Sequence, residues 1–480
     1  MSIDKNFYIT TTLPYINSEP HIGFAAEIIK ADVIARYQAQ RGKSVFFNTG
    51  TDEHGLKIYQ KAQGLGMDVE EYCDIYSAKF LPLKEKLNLS YNKFIRTTDP
   101  THQAAAQEFW RRCEKNGDIY KKAYKVKYCV GCEMEKTDSE LENGRCPLHP
   151  NQDLEIIEEE NYFFRFSKYQ DKLLDLYDKH PDFVLPASRL KEIRTFVASG
   201  LEDFSISRLK EKMSHGVPVP GDDSQVMYVW FDALVNYIST LGWPEEKGNY
   251  QKYWPGLQVC GKDNLRPQSA MWQAMLLSAG LPTSKQILVF GFLTANGQKI
   301  SKSLGNTVDP YELADKYGAD AVRYYLLAEM SPFADGDYSE EKFIERYNAD
   351  LANGLGNLTA RVSNLLEKNG IETGLRVDLE NKDIKPVVDK MENKMASCQF
   401  NEVLQILWEK ISECDESLSR MAPWKIKEKE KVADILLPLA QGILNIAYLL
   451  EPFLPTAAQK VQEQFLEKQI KKKDSLFPRL

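Results

Sequence analysis

Histidine and cysteine are scarce in this chain, six and eight among 480 residues, and an excess of positive charge is missing altogether. Eight cysteines with no export signal ahead of them argue against a disulfide framework. Lys plus Arg number 61 against 69 Asp plus Glu, a net charge of −8. That excludes a nonspecific nucleic-acid coat but leaves room for local basic patches. The longest apolar run, about 435–450, is broken by Pro438, Gln441 and Asn445, so it reads as a buried helix and not a membrane span. The opening residues pass directly into a strand-like segment, and neither a signal nor a transit peptide is expected. Internal repeats and low-complexity segments are absent from the sequence as well. What is plentiful, 43% apolar and 27% charged residues, excludes a disordered or fibrous chain. At about 150 residues per domain the length suggests about three domains. The expectation is a soluble, cytoplasmic, multidomain protein.

Residues 7–12 and 44–49 are β-branched and aromatic runs, and 23–41 between them sets Ile28, Ala31 and Ala35 on one helical stripe. This βαβ pattern implies a parallel sheet with right-handed crossovers. It resumes late, with strands at 257–260 and 286–289 around a helix at 269–279, followed by a Gly- and Lys-containing loop to Asn306. A sheet that stops and restarts implies an insertion, here holding Lys121, Lys122, Lys125, Lys127, an acidic run and a Pro-rich turn. After about residue 330 the strands vanish, and 343–366, 383–396, 399–419 and 432–453 read as the helices of a bundle. The expected division is 1–117 and 225–330 for the two halves of a doubly wound α/β domain, 118–224 for the insertion and 331–480 for the bundle. The basic tail at 468–473 reads as a solvated helix end.

The strongest local pattern is Cys129-x-x-Cys132 and, after thirteen intervening residues, Cys146-x-x-His149. Two such knuckles suit a tetrahedral zinc better than they suit buried small hydrophobes. Four protein ligands leave no position for water, so the zinc would be structural, one per chain. His21 and Gly23 stand where the first strand gives way to the first helix, the phosphate-binding corner of a doubly wound sheet. Taken alone, a structural histidine is the better reading of them. Lys299, Ser301, Lys302 and Ser303, between Gly297 and Gly305, form a cationic loop able to close on a polyphosphate. Taken alone, an ordinary exposed basic loop explains them equally well.

Together these stretches carry a resemblance. HIGF at 21–24 resembles the HIGH signature of class I aminoacyl-tRNA synthetases, and KISKS at 299–303 resembles their KMSKS loop. TDEHG at 51–55, VWFDA at 229–233, GKD at 261–263, NLTAR at 357–361, APW at 422–424 and the zinc knuckle are similar to the methionyl-tRNA synthetase family in particular. The resemblance implies a class I Rossmann-type sheet with a zinc-bearing insertion and a helical anticodon-binding bundle. It implies activation of L-methionine by ATP, with Mg²⁺ carried on the nucleotide, and transfer to tRNA(Met). It implies that His21, Lys299 and Lys302 act at the phosphates, and that Gly23, Phe24, Gly261, Asp263 and Ser301 contact ATP. Asp52 would take the methionine ammonium. Leu13, Tyr15, Trp230, Ala233, Leu234, Tyr237, Gln268 and Trp272 would line the side-chain pocket, a soft wall suited to a thioether. Asn357 and Arg361, four apart on one helix face, and Trp424, a stacking surface, would read the anticodon.

The sequence departs from the family pattern at Phe24, where the second histidine of the signature is replaced, at Gln268, where some relatives carry a pocket histidine, and at Phe290, where histidine is common. Enzymes for the branched amino acids would need a larger editing insertion, and one for cysteine would need a Cys and His set at the pocket. A catalytically silent RNA-binding relative is favoured only by Phe24. A nucleotidylyltransferase working without tRNA leaves the bundle residues unexplained. No oligonucleotide-binding module follows the bundle, so a monomer is expected, with no DNA and no membrane partner.

Overall fold

A computed structural model describes residues 5–132, 134–136, 138–295, 297–299 and 307–480. The chain divides into two compact units, and these do not follow the sequence in simple blocks. The first holds Met1–Pro20, Lys43–Pro82 and Tyr91–Val289; the second holds His21–Gly42, Leu83–Ser90 and Phe290–Leu480.

The first unit is built on a six-stranded sheet. Its strands are β1 (Asn6–Thr11), β2 (Ser44–Thr51), β3 (Lys93–Arg96), β4 (Val184–Leu185), β5 (Leu257–Gly261) and β6 (Gln286–Phe290), in the order β3-β2-β1-β5-β6-β4. β1 pairs in parallel with both β2 and β5, β2 with β3, and β6 with β4. Continuous apolar and β-branched runs suit strands buried on both faces, as parallel strands are. The order reverses about β1, so the carboxyl ends of β1, β2 and β5 form a switch point where such sheets bind ligands. The two-residue β4 lies inside the expected insertion, yet it pairs with the main sheet. The rest of that segment centres on a long antiparallel pair, Ile119–Cys129 with Glu155–Phe164, extended by Met134–Lys136 and Phe204–Ser205.

The second unit joins α1 (Ile22–Gln40) to the helices after residue 307. α1 is buried on most of its faces over its first four turns, from Ile22 to Ala35. Arg323, wholly buried, pairs with Asp32 of α1 at 2.7 Å and donates to the carbonyls of Phe453 (2.8 Å) and Pro452 (2.9 Å). Burial alone would raise the Asp32 carboxyl, but Arg323, Arg36 and Ser90 together hold it below the ordinary range. The expected helix at 343–366 is three pieces, with a π-helical stretch at Tyr347–Gly356 between Glu340–Arg346 and α2 (Asn357–Lys368). α3 (Phe400–Met421), α4 (Lys429–Leu450) and α5 (Pro455–Phe465) complete the bundle. One short strand, Gly336–Tyr338, does occur past residue 330 and pairs with Leu293–Ala295. α4 is long and apolar enough to cross a membrane by length and composition. Its Val432, Leu436, Ile443 and Leu450 are instead in the core of this unit.

Candidate active site and metal centre

In the first unit the chain leaving β1 and the chain leaving β2 meet. The Asp52 N–H donates to Pro14 O at 3.0 Å, the Ile16 N–H to Asp52 O at 3.4 Å, and Tyr15 and Asp52 form a parallel bridge. Asp52 is 4% exposed, and its Oδ1 accepts from the His54 N–H at 3.3 Å. The Tyr15 ring stands edge-on to Trp230 at 6.4 Å. Ala233 and Leu234 follow on the same short helix, Val229–Ala233, and its C-cap. Beyond them the Tyr237 ring stands edge-on to Trp272 at 5.9 Å. The Gln268 amide donates to the Tyr237 hydroxyl. Gln268 is 1% exposed, and among the described residues its Oε1 has no hydrogen-bond partner. It lies on a π-helical turn, Pro267–Met271, that the spacing of apolar residues did not suggest. Leu13 is half-buried on the segment leaving β1. Gly261 ends β5 and Asp263 lies on the turn that follows. Every sequence-predicted pocket residue therefore sits at or beyond the carboxyl ends of β1, β2 and β5 or on the elements packed beside them. A cavity of about 380 Å³ borders Trp230, Tyr228, Pro267 and Met271, within the size range of small-molecule sites.

In the second unit His21 is the N-cap of α1, and its Nδ1 accepts from the Gly23 N–H at 3.1 Å. In the neutral ring the proton is then on Nε2. A Cβ at Gly23 would lie 3.0 Å from the imidazole, so a side chain there would press on the ring. Phe24 is half-buried in the first turn. The Ile22 N–H donates to Val308 O at 3.0 Å, which ties the start of α1 to the chain ahead of the helix Pro310–Tyr317. Lys299 pairs through its backbone with Thr294. Its side chain, Ser301 and Lys302 lie outside the described residues. Phe290 packs against Phe333 (5.7 Å) and Phe400 (6.3 Å), with the Lys30 ammonium 4.9 Å over its ring.

Cys129, Cys132, Cys146 and His149 bring one ligand atom each to within 4.8 Å of one another. Cys129 ends the long strand, and the His149 N–H turns back onto Cys146 O at 3.0 Å. Cys132 Sγ lies 3.4 Å from Cys146 Sγ and 3.2 Å from His149 Nδ1. Bonds of about 2.3 Å to sulfur and about 2.0 Å to nitrogen place tetrahedral ligands about 3.5–4 Å apart, so the set fits. These four residues can hold a metal such as zinc.

On α2, Asn357 is exposed, and the Arg361 guanidinium lies 5.7 Å over the Trp424 ring. Arg361 also pairs with Asp415 at 2.5 Å. Trp424 is 50% exposed, which leaves a face of its ring open to solvent. Sequence reasoning missed several buried charged groups here. Glu53, wholly buried, is gripped by Arg96 at 2.7 and 2.9 Å, and His54 pairs with Asp232. No local pattern announces such partners.

A family model described as "tRNA synthetases class I (M)" matches residues 7–154 and 137–363. A methionine–tRNA ligase from a Nostoc species is 42% identical over 478 residues, covering 96% of this chain and 90% of that one. The enzyme of the same name from Thermosynechococcus vestitus is 43% identical over 481 residues, with the same coverage. Among solved structures, Mycobacterium tuberculosis methionyl-tRNA synthetase in complex with methionyl-adenylate superposes with a TM-score of 0.93 at 35% identity, covering 99% of this chain and 100% of that one. Identity of this degree along nearly the whole length shows that the chain belongs to the methionine–tRNA ligase family of class I tRNA synthetases.

Proposed function

We infer that the chain activates L-methionine with ATP and transfers it to the 3′ end of tRNA(Met), for both initiation and elongation of protein synthesis. The observation that carries the reading is the meeting of Asp52, Tyr15 and Trp230 at the ends of β1 and β2. A buried carboxylate beside aromatic faces suits an ammonium joined to a thioether side chain. In the first step the methionine carboxylate attacks the α-phosphorus and pyrophosphate leaves. In the second the terminal ribose hydroxyl attacks the acyl carbon and AMP leaves. Asp52 holds the ammonium, while Leu13, Tyr15, Trp230, Ala233, Leu234, Tyr237, Gln268 and Trp272 enclose the side chain. Gly261 and Asp263 hold the ribose, and Gly23 and Phe24 border the adenine. His21, Lys299, Ser301 and Lys302 stabilise charge on the phosphates, which is positioning and electrostatics rather than covalent catalysis. Mg²⁺ accompanies ATP instead of occupying a protein cage. The metal at Cys129, Cys132, Cys146 and His149 is a single structural zinc that ties the knuckles together. Asn357, Arg361 and Trp424 read the anticodon. The working division remains 1–117 and 225–330 for catalysis, 118–224 for the insertion and 331–480 for the anticodon domain, in a cytoplasmic monomer. Methionine-dependent ATP–pyrophosphate exchange is the decisive assay. Purified protein should catalyse it with methionine and not with leucine, isoleucine or cysteine, and an inactive preparation that still binds tRNA would favour the silent relative.

A further inference from the structure

Two of the stretches that mark the family carry residues to which this reaction assigns no task. They are Glu53 and His54, next to Asp52, and Asp232, between Trp230 and Ala233. The His54 Nδ1 donates to Asp232 Oδ2 at 2.5 Å, with the two side chains 3% and 0% exposed. The backbone N–H of the same His54 donates to Asp52 Oδ1. One residue thus holds the Asp52 carboxylate through its main chain and the Trp230 helix through its ring. Glu53 secures the other side of the stretch. Its carboxylate accepts from Arg96 and, at 2.7 Å, from Thr51 Oγ1, and its N–H donates to Thr97 Oγ1 at 2.9 Å.

The surroundings leave His54 as the partner of Asp232. His215 stands edge-on to it at 5.0 Å, and its Nε2 must donate to Glu53 O, 2.8 Å away, because a carbonyl only accepts. His102 shares its Nδ1 with Ser239 Oγ at 2.9 Å. Burial first, and His54 second, push His102 down to about 3 and His215 to about 4, so both are neutral. Of the nearby carboxylates, Glu53 is matched by Arg96. A buried pair of this kind adds little stability over apolar residues of the same volume, so stability alone does not account for it.

We propose that the His54–Asp232 pair is a positioning device for the amino acid, fixing the Asp52 carboxylate against the Trp230 helix so that ammonium and side chain are recognised together. This rests on the reading that Asp52 takes the methionine ammonium and Trp230 the side chain. The full chain is assayed for methionine binding by calorimetry and for exchange kinetics in both substrates. His54→Leu removes the ring donor, while His54→Asn keeps an N–H near the place of Nδ1. His54→Leu should raise the methionine Kd and KM about tenfold or more, since small misplacements at a site have large effects. The ATP KM and kcat should stay within about threefold, and His54→Asn should recover most of the methionine affinity. An unchanged methionine KM overturns the proposal, and so does equal loss toward both substrates, which marks a merely structural role. If His54→Leu does not fold, Asp232→Asn replaces it, keeping volume and an acceptor but not the charge. A rise of about threefold or more confined to methionine is then expected, and its absence overturns the proposal. Asp52→Ala separates the two layers. If it leaves methionine binding intact, the ammonium assignment fails and the proposal with it. If it abolishes binding while the His54 variants bind like wild type, the proposal alone fails.

Discussion

Gly131 lies between two of the four metal-type ligands, and the side chain it lacks is what lets them close. A Cβ there would fall 2.5 Å from Cγ and Cδ2 of the His149 ring and 2.7 Å from Gln152 Oε1. Gly131→Ala should therefore push the imidazole out of place and weaken metal binding by about 10–100-fold, the scale seen when a ligand loses its support. Competition against a chromogenic chelator measures it, and wild-type affinity would mean that the ring moves aside without loss. The cluster was legible in the sequence because short spacings constrain where each knuckle can place its donors. The His54–Asp232 pair was not, because its partners are 178 residues apart and no periodicity joins them. Trp424 shows the opposite limit. Its residue type alone favours a core position, and only the fold reveals that half of it faces solvent.

Among the elements, α1 has the most work to explain, since its first turn carries His21 and its middle carries the buried Asp32. Arg323 serves Asp32 and the carbonyls of Phe453, Pro452 and Leu87 at once. Arg323→Ala leaves the carbonyls of Phe453 and Pro452 without this donor in a dry interior and Asp32 with only Arg36 and Ser90, so a loss of about 3–5 kcal/mol is expected, read as a shift of the urea midpoint. Arg323→Met with Asp32→Leu should recover part of it by removing a buried charge that Arg36 and Ser90 alone compensate less well, though the carbonyls stay unmatched. A single variant as stable as wild type would show that water replaces the guanidinium. Four of the six sheet strands, α1 and the long helices of the bundle were legible because their apolar runs keep a recognisable period. β3 and β4 were not, since Lys93–Arg96 and the two residues Val184–Leu185 are too short to show a pattern. Nor were the π-helical stretches at Pro267–Met271 and Tyr347–Gly356, where the backbone departs from the 3.6-residue spacing by which helices are read. The second of these resets the phase just before Asn357 and Arg361, so which way that face points could not be read from the sequence.

A protein of net charge −8 that charges tRNA must hold a polyanion against its own average field, so recognition has to come from local features. Just beyond Trp424, Lys425 and Lys427 are exposed and, among the described residues, pair with no carboxylate. Trp424 offers an open ring, and Arg361 lies over it while its charge is shared with Asp415. Stacking on an unpaired base is worth about 1–3 kcal/mol, so Trp424→Ala should lower kcat/KM for aminoacylation about 10–100-fold by weakening the tRNA complex. Methionine-dependent pyrophosphate exchange involves no tRNA and should be unchanged. Because the ring is half-exposed, the melting temperature should also hold, which separates a lost contact from a lost core. Removing lysine charges at 425 and 427 should weaken tRNA in a different way, by reducing the slope of log affinity against log salt, whereas Trp424→Ala should lower affinity at every salt concentration and leave the slope alone. Exchange and charging assayed together across a salt series distinguish these cases. A parallel fall of both activities in Trp424→Ala would mean that the ring supports the fold of its unit rather than a base of the anticodon.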